Sequence, residues 1–361
     1  MPATADLHAL GQSLWLDNIT RDLLDDGTLE RYIRDLSVTG LTSNPSIFQK
    51  AIAGSKSYES QIRELETAGL DTEQLFFELA MADLRRAADL FKPVHAATAG
   101  IDGWVSLEVS PLLANDTDST IAQAKDLHAR AARENLYIKV PGTPEGVPAI
   151  EELIFAGVPI NVTLLFSREH YLAAAEAYTR GIERRLEAGL DPKVCSVASL
   201  FISRWDRAVG DSAGEALKDK LGLAIGKRSY KAYVDLCETD RWSSLRERGA
   251  TPQRLLFAST GTKDPSLPDT WYISGLAAPD TVNTMPEKTL LGFHEHGSVE
   301  QGALPRDGGD AEAVLAAFGD AGVDLDALAA KLQVDGRDSF NDSWNSMIAD
   351  IAEKARSLAG A

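Results

Sequence analysis

The chain has 361 residues, 44% hydrophobic and 25% charged, which is the make-up of an ordinary soluble globular protein with room for one large α/β barrel or two medium domains. A net charge of −18 argues against nucleic acid, whose binders need a basic footprint. No apolar run approaches a membrane span, and residues 1–6 lack the basic and apolar regions of a secretory leader, so the expectation is a cytoplasmic protein with Cys195 and Cys237 as free thiols.

An amphipathic start over 3–12 leads into a short strand, 13–18, that ends in Asp17 and Asn18. A helical stretch rich in Asp, Leu and Arg runs through Leu36. The second strand, 38–44, also ends in polar residues, among them Thr42 and Asn44, and 45–69 reads as helix and loop. Asp71-Thr72-Glu73-Gln74 is a capping box for a long helix through Phe91. The third strand, 103–109, carries Ser106 and Glu108, and a helix follows from about Ser119 to Arg133. The fourth, 136–141, has the β-branched and aromatic residues of a buried strand, with Lys139 in its middle. Thr143 then caps a helix with Pro144 at its first position, and Gly157 stops it before Pro159.

The fifth strand, 160–166, carries Asn161 and Thr163 and precedes a helix through about Glu187. The sixth, 196–202, carries Ser199 and Phe201, and a helix-rich segment reaches Gly249. The seventh, 254–260, ends in Ser259 and Thr260, and a short helix near 272–277 leads to the eighth, 281–285. A helical C-terminal extension begins at about 287, and its last helix has Phe340, Trp344, Met347, Ile348 and Ile351 on one face. His294-Glu295-His296 is read as a solvated turn, because two such side chains without a third partner do not make a metal site.

Eight short apolar strands alternating with helices predict a parallel sheet closed into a barrel, as a single domain over 1–361. An open doubly wound sheet would carry a glycine fingerprint after its first strand, and Asp17-Asn18-Ile19-Thr20 has no glycine. In a barrel the chemistry sits at the C-terminal strand ends. The polar residues expected to converge there are Asp17, Thr42, Asn44, Ser106, Glu108, Lys139, Asn161, Thr163, Ser199 and Ser259. Taken singly, Asp17 or Asn44 reads more readily as a helix cap, and Thr163 or Ser199 as a small residue filling a barrel layer. Lys139 alone reads as a buried stem with its head in water. Glu108, set among Trp, Val and Leu, needs a partner. A buried lysine is almost always paired or working. Desolvation favours its neutral form, which attacks carbonyls to give a Schiff base. Two carboxylates and a lysine together form an acid, base and nucleophile set.

The stretch Gly40-Leu41-Thr42-Ser43-Asn44-Pro45-Ser46-Ile47-Phe48 resembles the N-terminal signature of transaldolases, and 136–143 followed by 160–167 resembles that family's active-site region. The resemblance runs from about Trp15 to Met285; the length and the segment 258–263 are similar to the longer bacterial type. It implies a circularly permuted (β/α)8 TIM barrel with a Schiff-base lysine on the fourth strand, no cofactor and no metal. It also implies transfer of dihydroxyacetone from sedoheptulose 7-phosphate to glyceraldehyde 3-phosphate, giving erythrose 4-phosphate and fructose 6-phosphate. By the same resemblance Lys139 is the Schiff-base lysine and Asp17 the acid/base for the C4 hydroxyl. Glu108 and Thr163 hold a water for carbinolamine dehydration. Asn44 and Asn161 bind the dihydroxyacetone unit, with Thr42, Ser106, Ser199 and Phe201 expected in the substrate pocket. Arg204 and Ser259 bind phosphate; the other reading of Arg204 is a salt bridge to Asp206. Better-known members have a second phosphate arginine where this chain has Gly261, and Lys263 is expected to supply that charge. Two further readings stand: an aldolase that releases free dihydroxyacetone (such relatives are shorter and lack the glutamate), and a silent barrel that only binds sugar phosphates.

Overall fold

The computed structural model describes residues 2–299 and 302–359. Eight strands form one all-parallel sheet: β1 (Ser13–Asp17), β2 (Val38–Thr42), β3 (Val105–Glu108), β4 (Leu136–Pro141), β5 (Ile160–Leu165), β6 (Ser196–Phe201), β7 (Arg254–Ala258) and β8 (Val282–Met285). Consecutive strands pair except β2 with β3, and β8 pairs with β1. The sheet closes between β2 and β3, where Leu41 N–H donates to Trp104 O (2.9 Å) and Gly103 N–H to Thr39 O (2.8 Å). Closure needs Gly40: a Cβ there would lie 2.7 Å from Trp104 O and from the Trp15 ring. The product is the expected (β/α)8 barrel. Strands β2 to β6 are buried at every position, as parallel strands covered on both faces must be.

The strands end one or two residues earlier than the sequence pattern suggested at all but β4 and β8, and at β2 and β7 the local reasons are clear. Asn44 is already the N-cap of the helix Pro45–Gly54, and Ser259 leaves the β region with φ 56°. The capping box of Asp71 and Gln74 is present, and its helix continues to Ala97 through Pro93. The helix expected at Ser119 starts at Thr117, capped by Asp116. The helix expected at Pro144 starts at Gly146; Thr143 Oγ1 still accepts from Gly146 N–H (3.1 Å), but from one turn upstream. His294 and His296 lie in a helix, Glu287–His296, not in a turn. Each has its own partner, Thr4 Oγ1 at 3.0 Å and Asp269 Oδ1 at 2.8 Å.

The N-terminal end of the barrel is a stability layer. Trp104 and Tyr137 stack at 4.0 Å, and Trp15 Nε1 donates to the buried Asp102 (2.7 Å). The Arg254 guanidinium closes the floor on Ser13 Oγ (2.7 Å), Thr281 O (2.9 Å) and Ile101 O (3.2 Å). At the opposite end lies the longest helix, Leu325–Ala359. The apolar face read from its sequence packs down, with Trp344 against Phe76 and Phe77. Lys354 Nζ donates to Ile52 O and Ser55 O. Both ends share one continuous apolar core.

Candidate active site

Register does much of the assembly. Glu108 on β3 is paired with Lys139 on β4, and Lys139 with Asn161 on β5, so three polar side chains occupy one level of the barrel. Lys139 Nζ donates to Glu108 Oε2 at 3.0 Å and to Ser43 O at 3.3 Å. The two side chains are 7% and 8% exposed, so the pair is desolvated and must compensate itself. The Phe340 ring of the C-terminal helix covers the amine, with its centroid 5.4 Å from Nζ.

Asp17, at the end of β1, is half-buried and accepts from Thr42 Oγ1 (2.8 Å). Thr42 and Thr284 hydroxyls are 2.6 Å apart. A hydroxyl has one proton, and Thr42 gives its own to Asp17, so Thr284 is the donor in that pair. Burial raises the pKa of Asp17 against the opposing pull of Lys139 and the Thr42 bond. Burial likewise raises Glu108; Lys139 offsets it, and the charge of Asp17 adds to the rise. Two carboxyls of raised proton affinity thus face one amine.

Asn161 links the neighbouring strands: its Nδ2 donates to Ser106 Oγ (3.2 Å), and its Oδ1 accepts from Ser199 Oγ (2.7 Å). Thr163, two residues on and on the same face by strand alternation, is fully buried, and its hydroxyl has no hydrogen-bond partner among the described residues. Buried polar atoms are rarely left so. Asn44 Oδ1 is engaged as a helix cap, accepting from Ile47 N–H (3.1 Å), which leaves its Nδ2 as the group with donors to offer.

Arg204 is half-buried and makes no ion pair or hydrogen bond among the described residues. Its guanidinium lies 5.0 Å from the Phe201 ring centroid and 5.9 Å from that of Phe340. Burial, then Arg207, lowers its pKa. Asp206 does not pair with it; that carboxylate accepts from Leu221 and Gly222 N–H and from Tyr272 Oη. Ser259 Oγ, 3.0 Å from Ser203 Oγ, stands at the end of β7. A half-buried cation without a counter-charge is ready for an anionic ligand. Lys263 is exposed and lines a cavity of ≈ 240 Å³ with Ser203, Arg207, Lys218 and Asp264.

The structure therefore joins Asp17 with Thr42, Glu108 with Lys139, and Asn161 with Ser106 and Ser199, and seats Phe201 and Arg204 beside Phe340. A cleft of ≈ 460 Å³ opens beside Asp17 and is lined also by Asn18, Lys50 and Glu287. A roomier cavity of ≈ 680 Å³ lies at the barrel's other end, around Arg254 and Tyr230, away from every one of these groups. Four contributors were not picked out from sequence: Ser43, through its carbonyl, Thr284, Phe340 and Gln333. Thr284 carried a signal, as a polar residue in the eighth strand; Phe340 read only as core.

A model of the family described as Transaldolase/Fructose-6-phosphate aldolase matches residues 14–351. The chain is similar to curated proteins named Transaldolase. It is 44% identical over 363 residues to the one from Parafrankia sp., covering 98% of each chain. It is 44% identical over 362 residues to that of Acidothermus cellulolyticus, covering 98% of this chain and 97% of the relative. With the Thiobacillus denitrificans protein the identity is 44% over 360 residues, 97% of this chain and all of the relative.

Proposed function

The chain belongs to the transaldolase/fructose-6-phosphate aldolase family, and from that premise we propose a transaldolase that works through a Schiff base on Lys139. The observation that carries the reading is the buried Lys139–Glu108 pair, at 3.0 Å, at the C-terminal end of the barrel.

The steps follow from the groups present. An ammonium is not a nucleophile, so Lys139 must first lose a proton. Glu108 is in hydrogen-bond contact, and its burial-raised proton affinity suits it to receive that proton. The amine then attacks the C2 ketone of a ketose phosphate, and the carbinolamine loses water to give an iminium. We assign Glu108 and the unpartnered Thr163 hydroxyl to the water that serves this dehydration. The iminium is an electron sink, so the C3–C4 bond breaks as Asp17 takes the proton of the C4 hydroxyl. The aldose phosphate leaves and a dihydroxyacetone enamine remains on Lys139. Asn161 and Asn44, with Ser106, Thr42, Ser199 and Phe201 around them, hold that unit. A new aldehyde accepts the enamine carbon, Asp17 returns its proton to the new hydroxyl, and hydrolysis of the iminium frees Lys139.

We place the substrate phosphate on Arg204 and Ser259. The donor is sedoheptulose 7-phosphate, the acceptor glyceraldehyde 3-phosphate, and the products are erythrose 4-phosphate and fructose 6-phosphate, in the cytoplasm. No helix among the described residues is long and apolar enough to cross a membrane. The test is incubation with fructose 6-phosphate, borohydride reduction and peptide mapping by mass spectrometry. A three-carbon adduct on Lys139 is expected; none, or one on another lysine, overturns the assignment.

A further inference from the structure

Gln333, in the C-terminal helix Leu325–Ala359, reaches down into the barrel mouth. Its Nε2 donates to Gly142 O (3.0 Å) and to Leu164 O (2.9 Å). Two carbonyls at these distances require donors, which fixes the amide orientation, and both of its N–H bonds are used. The two acceptors flank the chemistry. Gly142 follows β4 three residues after Lys139, and Leu164 follows Thr163 directly.

The backbone there is unusual. Leu164 has φ 62°, a left-handed conformation that a branched side chain adopts only when its surroundings impose it. The β5–β6 register shifts at the same place, between Val162 and Leu165. On the other side Gly142 N–H donates to Thr163 O at 2.7 Å. The ladder between β4 and β5 thus ends at Thr163, and the Gln333 carboxamide spans the two carbonyls just beyond it. The same helix face accommodates the strained turn. Gly336 is one turn on, and a Cβ there would lie 3.2 Å from Leu164 Cδ2 and Phe166 Cζ and 3.4 Å from Arg204 Nη1. Phe340, a further turn on, covers Lys139 and Arg204.

We propose that Gln333 is a positioning residue for imine formation: it clamps the ends of β4 and β5, holds Leu164 left-handed, and so aims the buried Thr163 hydroxyl into the site beside Lys139. The proposal rests on the Schiff-base reading above. It assigns the C-terminal helix a part in the chemistry beyond covering the barrel.

The experiment compares wild type, Gln333→Met and Gln333→Glu by rapid-quench borohydride trapping with fructose 6-phosphate, alongside KM for that donor and thermal melting. Gln333→Met keeps the length and removes both donors. Adduct formation should slow by roughly 10- to 100-fold, the scale of a small misplacement of reacting groups, while KM changes less than about threefold. A trapping rate within twofold of wild type in folded Gln333→Met overturns the proposal, as does a rate loss matched by an equal rise in KM. Should Gln333→Met fail to fold, Gln333→Glu decides. Its ionised carboxylate cannot donate to a carbonyl, but its acid form can give one O–H. Its trapping rate relative to wild type should therefore rise as pH is lowered from 8 to 5.5, and a flat ratio refutes the clamp. Absence of any adduct on wild-type Lys139 would instead mean that the Schiff-base reading itself has failed.

Discussion

Lys139→Met removes the cation 3.0 Å from Glu108 in a site where both side chains are more than nine-tenths buried. Water cannot take its place, and stranding one member of a buried pair costs about 3–5 kcal/mol. Glu108 escapes that cost by binding a proton. Burial already raises its pKa above the ordinary glutamate value, with Lys139 as the main restraint, so deleting the lysine raises it further. The sign follows. With a folded-state pKa above the unfolded one, the folded variant holds a proton that the unfolded chain has lost, so stability falls as pH rises through that window. In a chain of this length about 1 kcal/mol moves Tm by roughly 2 °C or less. Lys139→Met should then melt about 5 °C below wild type at pH 8 and within about 2 °C of it at pH 5. Glu108→Gln added to it should restore most of the loss at pH 8, because the amide has nothing to ionise. Calorimetry across pH 5–9 makes the comparison. A gap that is the same at every pH, or one that the second substitution does not narrow, would refute an ionised buried pair.

Asp17→Asn should lower kcat by about 10²- to 10⁴-fold with little change in KM. Because burial raises the Asp17 pKa and a base must be ionised, the acid limb of the wild-type kcat profile should lie above the ordinary carboxylate range and be displaced in the variant; an unmoved limb argues against the role. Arg204→Ala should raise KM for fructose 6-phosphate by about 10- to 100-fold, the worth of charge-assisted bonds to an anion, while trapping of unphosphorylated dihydroxyacetone on Lys139 stays within twofold. Equal losses for both ligands would show that Arg204 acts on the fold. For Lys263→Ala an increase in KM for phosphorylated substrates retains Lys263 in the phosphate site; an unchanged KM leaves Arg204 and Ser259 as its charge and hydrogen-bond source.

The eight strands were legible because a parallel strand covered on both faces must be apolar throughout, and Lys139 and Glu108 stood out as exceptions to that rule. Strand ends were less legible, because the last polar residues belong to the next element: Asn44 caps a helix while lying at the mouth of the site. The pairing of Lys139 with Glu108 could not be read, since cross-strand register depends on the whole sheet, not on either strand. The share of the C-terminal helix in the site was hidden for another reason. Phe340 has the spacing of a core residue and is one, but the core it joins includes the ring-lined space over Lys139 and Arg204. Gln333 and Gly336 gave no pattern at all; a lone amide and a lone glycine in a helix gain meaning only from the backbone they meet.

The Lys139–Glu108 pair also suits a covalent cycle. On the proposed mechanism, the ammonium at Nζ in the resting enzyme compensates the Glu108 carboxylate it contacts at 3.0 Å. In the iminium the same nitrogen carries the same charge, so Glu108 is not stranded when the substrate becomes attached. Only the carbinolamine and enamine stages lack it, and there a carboxyl of raised proton affinity can hold the proton instead. The site therefore exchanges one proton between two neighbouring atoms and never has to solvate a bare ion in a dry pocket. This is open to a direct check. The borohydride-reduced adduct is a secondary amine that keeps a basic nitrogen at Nζ, and at pH 8 it should melt no lower than untreated protein, whereas Lys139→Met, with that nitrogen deleted, should melt about 5 °C lower. A reduced adduct as unstable as Lys139→Met would mean that the lysine stabilises the fold through its unmodified ammonium and not through charge held at Nζ.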